Sequence, residues 1–103
     1  MMKKILAIDD NKSMRTIISS VLKEKYDVTT QKDGQEAYYW MIKGRNIPDL
    51  IICDIEMPNM SGYEFLEIIR NSGFFGDIPV IMLSGVEETK ERIRCYNLKA
   101  QDF

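Results

Sequence analysis

Two adjacent aspartates, Asp9 and Asp10, close an apolar run near the start of the sequence, and a third, Asp54, closes another in mid-chain. Ser84 ends a third apolar run. If these runs are parallel strands of one sheet, the carboxylates and the hydroxyl all lie at carboxyl ends of strands and meet at one edge, where open α/β sheets bind ligands. Carboxylates brought within a few ångströms repel one another, so either one of them holds its proton more tightly or a cation is needed. A hard divalent ion answers that need. Magnesium takes oxygen ligands in octahedral geometry and keeps several waters, so one or two carboxylates, a backbone carbonyl and a phosphate would complete its shell. The sequence contains no histidine. Ser-His-Asp and Cys-His catalysis, His-based zinc sites and a phosphohistidine on this chain are thereby excluded.

The elements that would position these residues are legible in the hydrophobic pattern. Ile5-Leu6-Ala7-Ile8, Leu50-Ile51-Ile52-Cys53 and Val80-Ile81-Met82-Leu83 are apolar without alternation, as strands buried on both faces are. Tyr26 to Thr30 is rich in β-branched and aromatic residues and adds a fourth. Between them, Met14, Ile17, Ile18, Val21 and Leu22 fall at helical spacing within Ser13 to Leu22. A second helical stretch runs through Ala37, Tyr38, Met41 and Ile42 after the break at Asp33-Gly34, and Gly44 closes it. Ser61 and Glu64 form a capping-box pair ahead of Phe65, Leu66, Ile68 and Ile69. The charged stretch Glu87 to Arg94 reads as a fourth, weakly amphipathic helix. Strand and helix alternate, which predicts an α/β fold with a doubly wound parallel sheet covered on both faces.

Composition narrows the class further. The chain has 103 residues, room for one domain. With 45% hydrophobic and 29% charged residues it can bury a core. Its 14 basic and 16 acidic side chains lack the cationic excess that a nucleic-acid module sets against phosphate, so direct nucleic-acid binding is not expected. Cys53 and Cys95 form no metal or redox motif, and Cys53 reads as core packing. Neither a signal peptide nor a membrane span is found, and a cytoplasmic, soluble protein is expected.

Taken in order, these residues resemble the receiver domains of bacterial two-component response regulators. Asp9 and Asp10 match the paired acids after the first strand. Asp54-Ile55-Glu56-Met57-Pro58-Asn59-Met60-Ser61-Gly62 matches the family's D-x-x-M-P-x-x-x-G turn, with Asp54 at the phospho-accepting position. Ser84 matches the hydroxyl of the fourth strand and Phe103 the aromatic switch of the fifth. The resemblance covers nearly the whole chain and implies a flavodoxin-like receiver fold, strand order 2-1-3-4-5, over residues 1–103.

The resemblance also implies roles. Asp54 would take a phosphoryl group from a histidine kinase or histidine phosphotransfer protein. Asp9, Asp10, Asp54 and the backbone carbonyl of Glu56 would hold Mg²⁺. Ser84 would hydrogen-bond the new phosphoryl group, and Phe103 would rotate inward. The signal would pass to a C-terminal effector domain or a downstream protein. Two departures stand against this pattern. The chain ends at Phe103, before the family's lysine, so the fifth strand is expected to be cut short and the domain incomplete at its C-terminus. Lys99 occupies the place of a glycine usual before the alanine matched by Ala100. The alternative reading is a degenerate receiver acting only as a protein-interaction module. A haloacid-dehalogenase-like phosphatase would need aspartate where Glu56 stands, and a flavodoxin-like cofactor binder would need a phosphate loop where Asp9 and Asp10 stand.

Overall fold

The apolar runs form strands of one sheet in the computed structural model, which describes residues 2–83. The elements are β1 (Lys3–Ile8), α1 (Lys12–Leu22), β2 (Tyr26–Gln31), α2 (Gly34–Gly44), β3 (Leu50–Asp54), α3 (Gly62–Arg70) and β4 (Val80–Leu83). All strand pairs are parallel, in the order β2-β1-β3-β4. This is the expected winding as far as β4. The helix expected from Glu87 to Arg94 and the fifth strand lie outside the described residues, as do Ser84 and Phe103.

Side chains alternate across β3 and β4. Ile51, Cys53, Val80 and Met82 are buried, while Leu50, Ile52, Ile81 and Leu83 are only half-buried. The buried set joins Leu6 and Ile8 under α2 and α3, against Ala37, Met41, Phe65, Leu66 and Ile69. Cys53 is part of this core, as its apolar flank implied. On the opposite face α1 packs on β1 and β2, yet none of its residues is fully buried, and Met14, Ile17 and Val21 are 40%, 55% and 72% exposed. Among the described residues, therefore, one face of the sheet is sealed and the other carries a single helix.

Helix ends follow their chemistry. Asn11 caps α1 by accepting from the Met14 amide, Asp33 caps α2 by accepting from Glu36, and Ser61 and Glu64 exchange both bonds of the capping box. The end of α2 differs from expectation. Gly44 is its last helical residue, and the left-handed position after it is taken by Arg45, with φ 51° and ψ 38°.

Candidate functional site

Strand register brings the carboxylates together. Ile8 pairs with Cys53 across β1 and β3, so the next residue on each strand path, Asp9 just past β1 and Asp54 at the end of β3, falls at the same edge of the sheet. Parallel neighbours lie about 4.8 Å apart. One carboxylate oxygen from each of Asp9, Asp10 and Asp54 falls within 4.8 Å of the others. Asp9 is buried, Asp54 half-buried and Asp10 exposed, so the cluster grades from the sheet edge to solvent.

Local hydrogen bonds hold the cluster. The Asn11 amide donates to Asp9 Oδ1 at 2.9 Å, and the Arg15 guanidinium donates to the Asp9 carbonyl at 2.8 Å. Asp9 thus both caps the turn into α1 and is tied to that helix one turn on. The Glu56 amide donates to Asp54 Oδ1 at 3.3 Å. Beyond it Met57-Pro58-Asn59-Met60 makes a tight turn in which Asn59 takes φ 69° and the Met60 amide donates to the Pro58 carbonyl. The turn leads to Gly62, whose amide donates back to the Ile55 carbonyl at 2.8 Å. A Cβ on Gly62 would stand 2.3 Å from the Asp54 carbonyl oxygen and 2.8 Å from the Ile55 Cα. Close approach of the α3 start to the end of β3, more than turn geometry, requires this glycine.

The electrostatics follow from the placement. Partial burial pushes the Asp54 carboxyl up from 3.8 to about 6, and the charges of Asp9 and Asp10 push the same way against the opposing bonds from the Glu56 and Ile55 amides. A cavity of about 770 Å³ opens over the cluster, lined also by Ser13, Met14, Ile17, Glu56 and Leu83. Asp9, Asp10, Asp54 and Glu56 are thus brought to one cavity. Leu83 reaches it, and Ser84, the next residue, lies outside the described residues.

An all-oxygen donor set around a shared concavity suits a hard divalent cation better than a soft one. Sequence reasoning missed the parts played by Asn11 and Arg15. An asparagine directly ahead of an amphipathic stretch was a legible cap signal. The long reach of Arg15 back to the Asp9 carbonyl had no signal in the spacing.

The sequence profile of the response regulator receiver domain matches residues 5–103. The chain belongs to that family. Its receiver fold is flavodoxin-like: CheY4, a chemotaxis protein of Vibrio cholerae, superposes with a TM-score of 0.91 at 33% identity, covering 99% of this chain and 84% of that one. The response regulator Rcp1 in its Mn²⁺-bound form superposes with a TM-score of 0.89 at 25% identity, over 97% of this chain and 78% of that one. The two-component response regulator ARR12 of Arabidopsis thaliana is 38% identical over 88 residues, 84% of this chain. The matched region spans only 14% of ARR12's length. No described helix is long and apolar enough to cross a membrane.

Proposed function

We propose that residues 1–103 form a single receiver domain that accepts a phosphoryl group on Asp54 and acts as the switch of a phosphorelay. The convergence of Asp9, Asp10 and Asp54, with Asp54 raised to about 6, carries the reading. At neutral pH Asp54 is ionised and exposed enough to act as a nucleophile. Its oxygen attacks phosphorus, the P–N bond to a partner's phosphohistidine breaks with its electron pair going to nitrogen, and the imidazole, protonated on its other ring nitrogen, leaves as the neutral ring while the acyl phosphate forms. The donor is a histidine kinase or histidine phosphotransfer protein, which supplies the histidine this chain lacks.

Asp9, Asp10, Asp54 and the Glu56 carbonyl would hold Mg²⁺, and the similarity to Rcp1, solved in an Mn²⁺-bound form, supports a divalent ion. When bound, the ion offsets charge on the transferring group. Asn11 and Arg15 keep Asp9 in place, and the Glu56 amide orients Asp54. Ser84 receives the phosphoryl oxygens and Phe103 responds by turning inward, after the family resemblance. The domain catalyses only its own phosphorylation and dephosphorylation. Its output passes to an effector domain or a downstream protein rather than to nucleic acid directly, and the setting is cytoplasmic.

Incubation with acetyl phosphate and Mg²⁺, followed by borohydride trapping and mass spectrometry, tests the nucleophile. Label should map to Asp54 and vanish in Asp54→Asn. Label that persists in that variant, or maps elsewhere, overturns the assignment. If no donor phosphorylates the chain while partners still bind it, the interaction-module alternative holds instead.

A further inference from the structure

A second concavity, of about 550 Å³, lies between the C-terminal half of α2 and the loop from α3 to β4. It shares no lining residue with the carboxylate cavity. Buried Met41 and Phe75 form its floor, and Tyr38 meets Phe75 edge-on with ring centroids 6.5 Å apart. Around that floor stand Ile42 and Ile47, each 50% exposed, and Phe74, 82% exposed. Three large exposed apolar side chains thus gather around one concavity. Its volume falls in the range of about 300–1,000 Å³ typical of pockets that seat apolar groups.

The charge around this groove is one-sided. Arg45 lines it, and no carboxylate does. Among the described residues no hydrogen bond or ion pair holds the Arg45 guanidinium, whereas neighbouring Lys43 is engaged with the Tyr39 hydroxyl at 2.9 Å. Arg45 also sits in the left-handed region, φ 51°, where glycine would be cheaper by roughly 1 kcal/mol. The left-handed residue ends α2, and it sets an arginine without a partner among the described residues at the rim of the groove, where a carboxylate could pair with it.

We propose that this groove docks a short acidic amphipathic helix of a partner protein, with apolar side chains between Ile42, Ile47 and Phe74 and a carboxylate on Arg45. Helix-in-groove recognition uses such anchors one turn apart. The site does not depend on phosphoryl transfer.

The test is titration of the ¹⁵N-labelled chain with a 14-residue peptide of Leu, Phe, Glu and Asp, its apolar residues at helical spacing, beside a matched peptide with Lys and Arg for the acids. Saturable shifts should centre on Ile42, Arg45, Ile47 and Phe74, with the basic peptide about tenfold weaker or more. Arg45→Glu should invert that preference, an outcome that misfolding cannot imitate. Phe74→Ala, a change at an exposed side chain, should weaken the acidic peptide by about tenfold, and Asp54→Asn should leave binding unchanged. Equal affinity for both peptides, shifts centred on Asp54, or self-association of the free chain that Phe74→Ala abolishes would each overturn the proposal, the last by making a second copy the occupant.

Discussion

The two faces of the sheet are built from the same strands and differ in what covers them. Under α2 and α3, Leu6, Ile8, Ile51, Cys53, Val80 and Met82 are closed off from water. On the α1 side Ile52, Ile81 and Leu83 remain half-buried, and the apolar stripe of α1 is open. The carboxylate cavity belongs to the open side, since Met14, Ile17 and Leu83 line it with Asp54. Among the described residues the closed face holds most of the core, and Asp54 stands on the other side of the strand that carries Cys53. Alternation along β3 makes the division sharp, because Cys53 points into the core and Asp54, one residue later, does not.

The largest effect expected from this contrast is on stability. Phe65 is fully buried at the centre of the closed face, and Phe65→Ala should cost about 3–5 kcal/mol. Ile17 is 55% exposed on the open face, and Ile17→Ala should cost no more than about 0.5 kcal/mol in the described arrangement. Urea melts of the two variants measure the difference directly. Comparable losses would mean that the stripe of α1 is buried in solution and that the two faces are equivalent.

Gly62 joins the two faces, since it starts a helix of the closed side against the backbone that carries Asp54. Gly62→Ala should cost about 1–3 kcal/mol from overpacking against the Asp54 carbonyl and the Ile55 Cα, two backbone groups that cannot step aside as a flexible side chain would. It should also slow phosphorylation at Asp54, because relief of the clash moves the end of β3. Ser61→Ala gives the control. It removes one bond of the capping box, at about 1 kcal/mol, without pressing on β3. Equal phosphorylation rates in the two variants, at matched stability, would reduce Gly62 to a turn residue.

This division also explains what the sequence disclosed. The strands were legible because Leu50 to Cys53 and Val80 to Leu83 have no polar interruption, and the α3 start was legible because Ser61 and Glu64 form a reciprocal cap that works locally. Convergence of Asp9, Asp10 and Asp54 followed from strand direction alone, since parallel strands put their carboxyl ends at one edge. What did not follow were contacts set by side-chain reach or backbone approach. Arg15 binds the Asp9 carbonyl, Arg45 rather than Gly44 takes the left-handed position, and Gly62 is needed for space as well as for a turn. The periodicity of α1 reports only that its apolar residues share a side, and among the described residues Ile17 and Val21 are exposed.

The effect expected from the site itself carries a definite sign. Asp54 has its folded-state pKa raised from 3.8 to about 6, so the native chain binds this proton more tightly than the unfolded chain does. The group's contribution to stability is therefore greatest below pH 4, falls as pH rises through the window from about 4 to 6, and is flat above it. Without added metal, Asp54→Asn should raise stability at pH 7 and remove this slope. Mg²⁺ should act in the opposite direction, because it binds the ionised cluster: its stabilisation should grow as pH passes 6 and reach about 1.4 kcal/mol at tenfold excess over the dissociation constant. Asp10→Asn should largely remove the gain while leaving the closed face untouched. Thermal melts at pH 4.5 and 7.5, with Mg²⁺ and with chelator, separate the two contributions. Coincident melts at both pH values would show that neither proton nor ion is coupled to folding through these carboxylates, and that the open face carries no electrostatic strain for a ligand to relieve.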